Sequence, residues 1–305
     1  MLTKRIASVV AAFACLVFAS TAVAASPAVP EDRVGLAKDL IYFVFPDRYL
    51  NGDTSNDKYP GYDPKDTAFF HGGDLKGLTG TCTAGDNGLA RIKKLGFTAV
   101  WVTPLVVQQK PTPYGAGYHG YWGVDFLNVD PHLGTNADMA AFAECAKKLG
   151  LKLILDVVTN HTGDVIAYKE KDAFIPSDLT NAKNPAWLND LNNYHNVGDM
   201  NSCWGDGSCM QLGDFYGLDD IATEKPVVYN GWADVYGKWI KDYSLAGFRV
   251  DTARHVDDNF FKNWSPQIDA AAKSVGINDF TIFGEVWDVN PINLMNYIRR
   301  NKIQN

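Results

Sequence analysis

The chain has 305 residues, 46% of them apolar and 12% aromatic, and a net charge of −7. That length suits one large domain or two smaller ones, and the apolar share supports a buried core, which excludes a disordered chain. The negative charge argues against nucleic acid as a partner.

The N-terminus reads as an export signal. MLTKR supplies two positive charges, IASVVAAFACLVFASTAVA is apolar, and Ala22-Val23-Ala24 fits a small-residue cleavage site. Cleavage is expected after Ala24, with an uncleaved anchor as the alternative. Losing Lys4 and Arg5, and no acid, takes the charge from −7 by two units to −9. The mature protein is therefore expected to be acidic and secreted or periplasmic. No second apolar run is long enough to span a membrane, so no membrane partner is expected after signal removal. Cys15 leaves with the signal, and four cysteines remain. An oxidising compartment permits disulfides. Cys203 and Cys209 flank the turn-like WGDGS and are the expected pair, whereas Cys145 lies in a helical pattern and reads as a buried thiol. These cysteine spacings suggest no metal site.

LIYFVF (40–45) reads as a buried strand. A short helix around GLARIKKLG leads to a second strand, TAVWVTP (98–104). In NADMAAFAECAKKLG (136–150), Met139, Phe142, Ala143, Ala146 and Leu149 recur at helical spacing. LKLILDVV (151–158) is an apolar run that reads as a third strand. Residues 160–225 then break the rhythm, being rich in Asn, Asp, Gly and Pro without a clear period. A structureless loop that long is improbable inside a compact domain, so the segment reads as an inserted subdomain. VVYNGWADVYGKWIKDY (227–243) carries Trp232, Val235, Tyr236, Trp239 and Ile240 on one helical stripe, and GFRVD and TIFGEVW (281–287) are two further strands. Strands alternating with helices mean a parallel sheet. Near-continuous apolar strands mean that both its faces are covered.

Functional side chains gather at the strand ends: Asp47, Asp156, Asn160, His161, Asp251 and Glu285. In a parallel α/β barrel that end holds the active site. A doubly wound sheet obeys a similar rule, so this clustering does not separate the two. In GFRVDTARH (247–255), Arg249 and Asp251 are two apart and share a strand face. A nearby guanidinium favours the ionised carboxylate, which suits a nucleophile and equally a buried ion pair.

DVVTNH (156–161), GFRVDTARH and FGEVW (283–287), in this order, resemble the first three signature regions of the α-amylase family of glycoside hydrolases. GYHGYWGVDF (117–126) resembles the family's segment after the second strand, and GLDDI (217–221) its short motif late in the inserted subdomain. The resemblance covers roughly residues 40–290. It implies a TIM (β/α)8 barrel with a calcium-bearing subdomain inserted after the third strand. The layout is then a signal at 1–24, barrel at 25–159, insertion at 160–225 and continuing barrel at 226–305.

The implied activity is retaining hydrolysis of internal α-1,4-glucosidic bonds in starch-like glucans. Asp251 matches the nucleophile and Glu285 the general acid/base, groups that a retaining enzyme sets about 5 Å apart. Arg249 is the residue that holds Asp251 ionised. Tyr121, Trp122 and His161 match residues around the attacked glucose, and Arg254, His255, Tyr216 and Trp287 further substrate contacts. Calcium is the implied cofactor. Asn160 and Asp220 match side-chain ligands of one site and His255 a main-chain ligand, while Asp199 is a weaker candidate. NGDTSND (51–57) with GGD (72–74) resembles a second calcium loop, offering Asn51, Asp53, Asn56, Asp57, Asp74 and the Gly72 carbonyl.

The family pattern departs at the C-terminus. A third carboxylate, three more barrel strands and a C-terminal β-sandwich are expected beyond Glu285, yet the chain stops at Asn305. It reads as truncated, with this chain alone expected to be inactive on starch. The partner expected is an α-glucan, bound by a monomer. A cyclodextrin glucanotransferase is the alternative, favoured by Tyr216 four residues before Asp220 and by the NGDTSND loop. A non-catalytic glucan-binding protein is a third reading.

Overall fold

A computed structural model describes residues 35–83, 85, 87–200 and 207–299. The expected signal segment and Cys203 lie outside these residues, so the expected Cys203–Cys209 pair is not described. The elements in chain order are β1 (Ile41–Val44), α1 (Leu75–Thr79), α2 (Gly88–Lys94), β2 (Ala99–Val102), β3 (Val106–Gln108), β4 (Gly123–Val129), α3 (Asn136–Leu149) and β5 (Lys152–Val157). Then follow β6 (Ala167–Lys169), β7 (Asp172–Phe174), α4 (Gly207–Leu212), α5 (Pro226–Tyr243), β8 (Gly247–Val250), α6 (Asp258–Ser274), β9 (Thr281–Gly284) and α7 (Pro291–Arg299).

Local chemistry sets the helix ends. Thr135 and Asp138 form a reciprocal capping box at the start of α3, and Gly150 ends it in the left-handed conformation at φ 62°. Pro226 opens α5, where its missing N–H costs nothing. The apolar stripe of α5 is buried as its spacing requires, with Trp232 and Tyr236 stacked at 5.3 Å against an aromatic layer from Phe248 and Trp264. Helix α6 completes that layer.

The central sheet runs β1-β2-β5-β8-β9, and every pair is parallel. The order follows the chain without reversal. A doubly wound sheet reverses at its switch point, so this is the strand order of a barrel wall. Strand β8 is buried along its whole length, but β1 is not, since Ile41 and Phe43 are exposed at the sheet edge. The expectation of two covered faces therefore fails at β1, an edge strand among the described residues.

Several features, α6 and the β6–β7 hairpin among them, lay outside the sequence reading. An antiparallel hairpin, β3–β4, follows the second strand of the sheet. Cys145 is not a free thiol but bonded to Cys82, with Cα atoms 5.7 Å apart. The bridge ties α3 to the turn beyond α1. Between β5 and α5 regular structure is sparse among the described residues, comprising the β6–β7 hairpin, two 3-10 turns and α4. A fully buried ion pair, Lys183–Asp219, staples this stretch. Lys183 Nζ also donates to Tyr194 Oη, and Asp219 accepts from the main-chain N–H groups of Val165 and Ile166.

Candidate active site

The sheet register places the reacting groups. Asp156 on β5 lies directly opposite Arg249 on β8. Asp251 follows β8 and anchors its N–H on Val157 O, while Glu285 follows β9 and anchors its N–H on Val250 O. All three carboxyl groups meet one guanidinium. Arg249 Nη1 donates to Asp156 Oδ1 (2.9 Å), Asp156 Oδ2 (3.0 Å) and Asp251 Oδ1 (2.7 Å), and Nη2 lies 3.0 Å from Glu285 Oε2. The main-chain N–H of Thr252 donates to the same Glu285 oxygen at 3.0 Å. Thr252 holds φ 45°, a left-handed conformation that a β-branched residue resists. Such strain persists only where its surroundings enforce it.

Burial and charge oppose each other here. Burial pushes the Asp251 carboxyl up to about 8, Asp156 adds to the rise, and Arg249 pulls it down. Burial also raises Asp156 to about 6 against the pull of Arg249. Arg249 does favour the ionised nucleophile, as its spacing suggests, but it does not offset the desolvation of Asp251 and Asp156. Burial thus favours the protonated form of Asp251 and Asp156 against the pull of Arg249.

Asp156 is the hub that the sequence did not single out for a role. Besides Arg249 it accepts from Tyr121 Oη (2.9 Å) and Trp101 Nε1 (3.1 Å). Its partners converge through strand register and side-chain reach, which spacing alone does not reveal. Trp101 also places its ring 5.6 Å from the guanidinium carbon.

A cleft of about 630 Å³ opens above this floor. Tyr121, Trp122, His161, Asp251, Arg254, His255, Glu285 and Trp287, all singled out from the sequence, line it. Arg249 lies beneath the lining. Met210, Phe215, Asp288 and Val289, outside the motifs or just beyond one, line the cleft too and were missed, as were Leu218 and Thr252 within GLDDI and GFRVDTARH. The β3–β4 hairpin presents Tyr121 and Trp122, with Trp122 N donating to Gln108 Oε1 at 2.7 Å. His119, also missed, accepts the Tyr121 N–H on Nδ1 at 3.0 Å and stacks on its ring. His161 donates from Nε2 to Tyr121 O at 3.2 Å, and burial lowers its pKa to about 4. It is a neutral imidazole at neutral pH. His255 Nδ1 donates to Met210 O at 3.0 Å, which ties α4 to the cleft wall. Tyr216 is 70% exposed beside Phe215, with φ 53°.

A family model of the α-amylase catalytic domain matches residues 43–304. The chain belongs to the α-amylase family. It is similar to an α-amylase of Streptomyces lividans, with 38% identity over 289 residues, 80% of this chain and 30% of that protein. A cyclomaltodextrin glucanotransferase of Klebsiella oxytoca is 32% identical over 276 residues, 86% of this chain and 40% of that one. Among solved structures, an Anoxybacillus α-amylase superposes with a TM-score of 0.69 at 33% identity, covering 86% of this chain and 50% of that chain. The chain thus spans half or less of each of these relatives.

In this α-amylase-family chain a second kind of site shows as oxygens without partners. Buried polar atoms are nearly always hydrogen-bonded, yet Asn160 Oδ1 and Asp220 Oδ1 have no partner among the described residues. Both residues are buried, and the chain at His161 bridges to Asp220. The other Asp220 oxygen meets His195 Nδ1, and His195 Nε2 bonds Glu224 Oε2 at 3.1 Å. In the 51–57 loop, Asn51 Oδ1 and Asn56 Oδ1 are likewise buried and unpartnered. Asn51 Nδ2 donates to both Asp57 oxygens at 3.0 Å, and a Cβ on Gly72 would lie 2.6 Å from Asn51 Nδ2 and from Asp57 Oδ1.

Asp53 and Asp74 are employed otherwise. Asp53 pairs with Lys76, while Asp74 caps α1 through Gly77 N and clamps the N–H groups of Gly52 and Asp53. Asp199 accepts from Gly217 N at 2.8 Å. Among the described residues no three His, Cys, Asp or Glu side chains gather to hold a metal by themselves. The unpartnered oxygens are mainly amides, donors that suit a hard cation such as calcium completed by main-chain carbonyls.

Proposed function

We propose that this chain carries the catalytic carboxyl groups of a retaining glycoside hydrolase acting on internal α-1,4-glucosidic bonds of starch-like glucans. The observation that carries the reading is the meeting of Asp251 and Glu285 on one guanidinium at the floor of an aromatic-walled cleft. Asp251 attacks the anomeric carbon while the bond to the leaving sugar breaks, and Glu285 gives its proton to the departing oxygen. Glu285, now ionised, takes a proton from water. The water oxygen attacks the same carbon and releases Asp251. Two inversions retain the α configuration. Arg249 and Asp156 fix where the carboxyl groups sit, and Tyr121, Trp122 and His161 receive the attacked glucose, with His255, Tyr216 and Trp287 beyond it.

Calcium would be held by Asn160, Asp220 and the His255 carbonyl, and in the 51–57 loop by Asn51, Asn56, Asp57 and the Gly72 carbonyl. Bound there it supplies the positive charge those oxygens lack and fastens residues 160–225, read as an inserted subdomain, to the barrel wall. The N-terminal segment supports export to the periplasm or medium, where the protein acts as a monomer.

The test is proton NMR of the first product formed from a maltooligosaccharide, with Asp251→Asn in parallel. The α anomer should form first, and the variant should lose on the order of 10⁴-fold in rate. A β product, or a variant as fast as the parent, overturns the reading. Tyr216, exposed beside the cleft, favours a second reading, in which a sugar rather than water resolves the intermediate. Cyclodextrins formed from starch would select it.

A further inference from the structure

The turn after β8 and the loop after β9 are joined twice. The first join is the Thr252 N–H on Glu285 Oε2. The second is Arg254, whose Nη1 donates to Trp287 O and whose Nη2 lies 3.5 Å from Asp288 Oδ2. Asp288 is itself held in place. Its Oδ1 accepts from Asn290 N at 2.8 Å and its Oδ2 from Asn293 Nδ2 at 2.9 Å, at the start of α7. Tyr297 on the same helix donates to Arg254 O at 3.5 Å. Arg254 stands three residues after Asp251, and Asp288 three residues after Glu285. Beyond Val286, which packs on the core, the loop turns outward, with Trp287 76% exposed and Val289 95%.

We propose that Arg254 is a positioning residue. By clamping Trp287 and Asp288 onto the nucleophile's turn, it sets where the Glu285 carboxyl stands. This rests on the reading of Glu285 as the acid/base. An isolated surface ion pair would contribute little, but one guanidinium bridging a carbonyl and a carboxylate uses the planar fork, which a lysine ammonium lacks. With its donors on the protein, Arg254 acts chiefly on the loop and not on the sugar. A shift of about 1 Å in a reacting group is enough to cost about 100-fold.

The experiment compares Arg254→Ala, Arg254→Lys and Asp288→Asn in the full chain. Hydrogen exchange is read at the Glu285 and Asn290 amides, which bond Val250 O and Asp288 Oδ1. Amides of α3 report whether the variants remain folded. Arg254→Ala should speed exchange at Asn290 at least ~10-fold and lower kcat by ~10- to 100-fold, with KM changed less than ~3-fold. Arg254→Lys should recover part of both. Unchanged exchange overturns the proposal, as does a raised KM with kcat kept, which would make Arg254 a sugar ligand. If the parent chain turns over no glucan, as expected of a truncated chain, exchange alone decides the clamp: faster in the alanine variant and partly restored by lysine supports it, unchanged rejects it.

Discussion

Two regions of this molecule concentrate oxygen atoms, and they neutralise them differently. At the ends of β5, β8 and β9 three carboxyl groups surround Arg249, a cation supplied by the chain itself. At Asn160 and Asp220, and again at Asn51 and Asn56, buried oxygens face no donor. The first arrangement is complete as folded and holds its charges under tension. On the proposed reading, the second is completed by a cation from solution. A hydrolase of the proposed kind uses both, the internal cation to tune reactive groups and an external one to hold a poorly regular segment against a regular wall.

Removing the internal cation should have the largest effect. Arg249→Met leaves buried carboxyl groups without their partner, a change that costs about 3–5 kcal/mol. Denaturant unfolding at neutral pH should show a loss in that range. A loss under ~1 kcal/mol would mean that the carboxyl groups simply share protons and the guanidinium is not what holds them.

Withdrawing the external cation comes next. A ligand that binds only the folded state at a hundredfold excess over its Kd stabilises it by about 2.7 kcal/mol. Chelation should lower the Tm of the parent protein, and Asp220→Ala should blunt that response. A melting curve indifferent to chelator would reduce the unpartnered oxygens to ordinary hydration sites.

A smaller effect separates tension from pairing. The native Asp251 carboxyl is raised to about 8, mainly by burial and then by Asp156, whereas the unfolded group titrates near 3.8. Between those values the native state binds the extra proton, so this group's contribution to stability falls as pH rises. Asp251→Asn does not ionise. Its stability relative to the parent should therefore improve from pH 5 to pH 8, by at least about 1 kcal/mol, the equivalent of one pKa unit. A flat difference, or one of opposite sign, would show that Arg249 outweighs burial.

The smallest effect lies inside the 51–57 loop. Asp53 faces Lys76 at the surface, and exposed pairs contribute little. Asp53→Asn should leave the chelator response unchanged, whereas Asp57→Ala should diminish it. Equal effects would return Asp53 to the ligand set.

Much of this was legible in the sequence. The strands at LIYFVF, TAVWVTP, LKLILDVV, GFRVD and TIFG announce themselves by apolar runs, and α3 and α5 by helical spacing. The cleft-lining residues Tyr121, Trp122, His161, Asp251 and Glu285 lie in short motifs at strand or hairpin ends, so local sequence carries them. What lay hidden depends on contacts between distant segments. The Cys82–Cys145 bridge joins residues 63 apart, and helical spacing made Cys145 look like core. Helix α6 contains Pro266, which breaks the expected pattern. His195 meets Asp220 from a stretch with no period at all. The role of Asp156 depends on the β5–β8 register, and the β3–β4 hairpin is short and irregular in pairing.

The central claim is that Asp251 forms a covalent bond to the sugar. A fluorinated α-glycosyl fluoride, which slows release of the intermediate more than its formation, should leave one glycosyl unit on the protein, and peptide mapping by mass spectrometry should find it on Asp251. Arg249 and Glu285 should carry no label, and Asp251→Asn should take up none. A label on another carboxylate, or an unlabelled protein that still hydrolyses the reagent, would contradict the assignment.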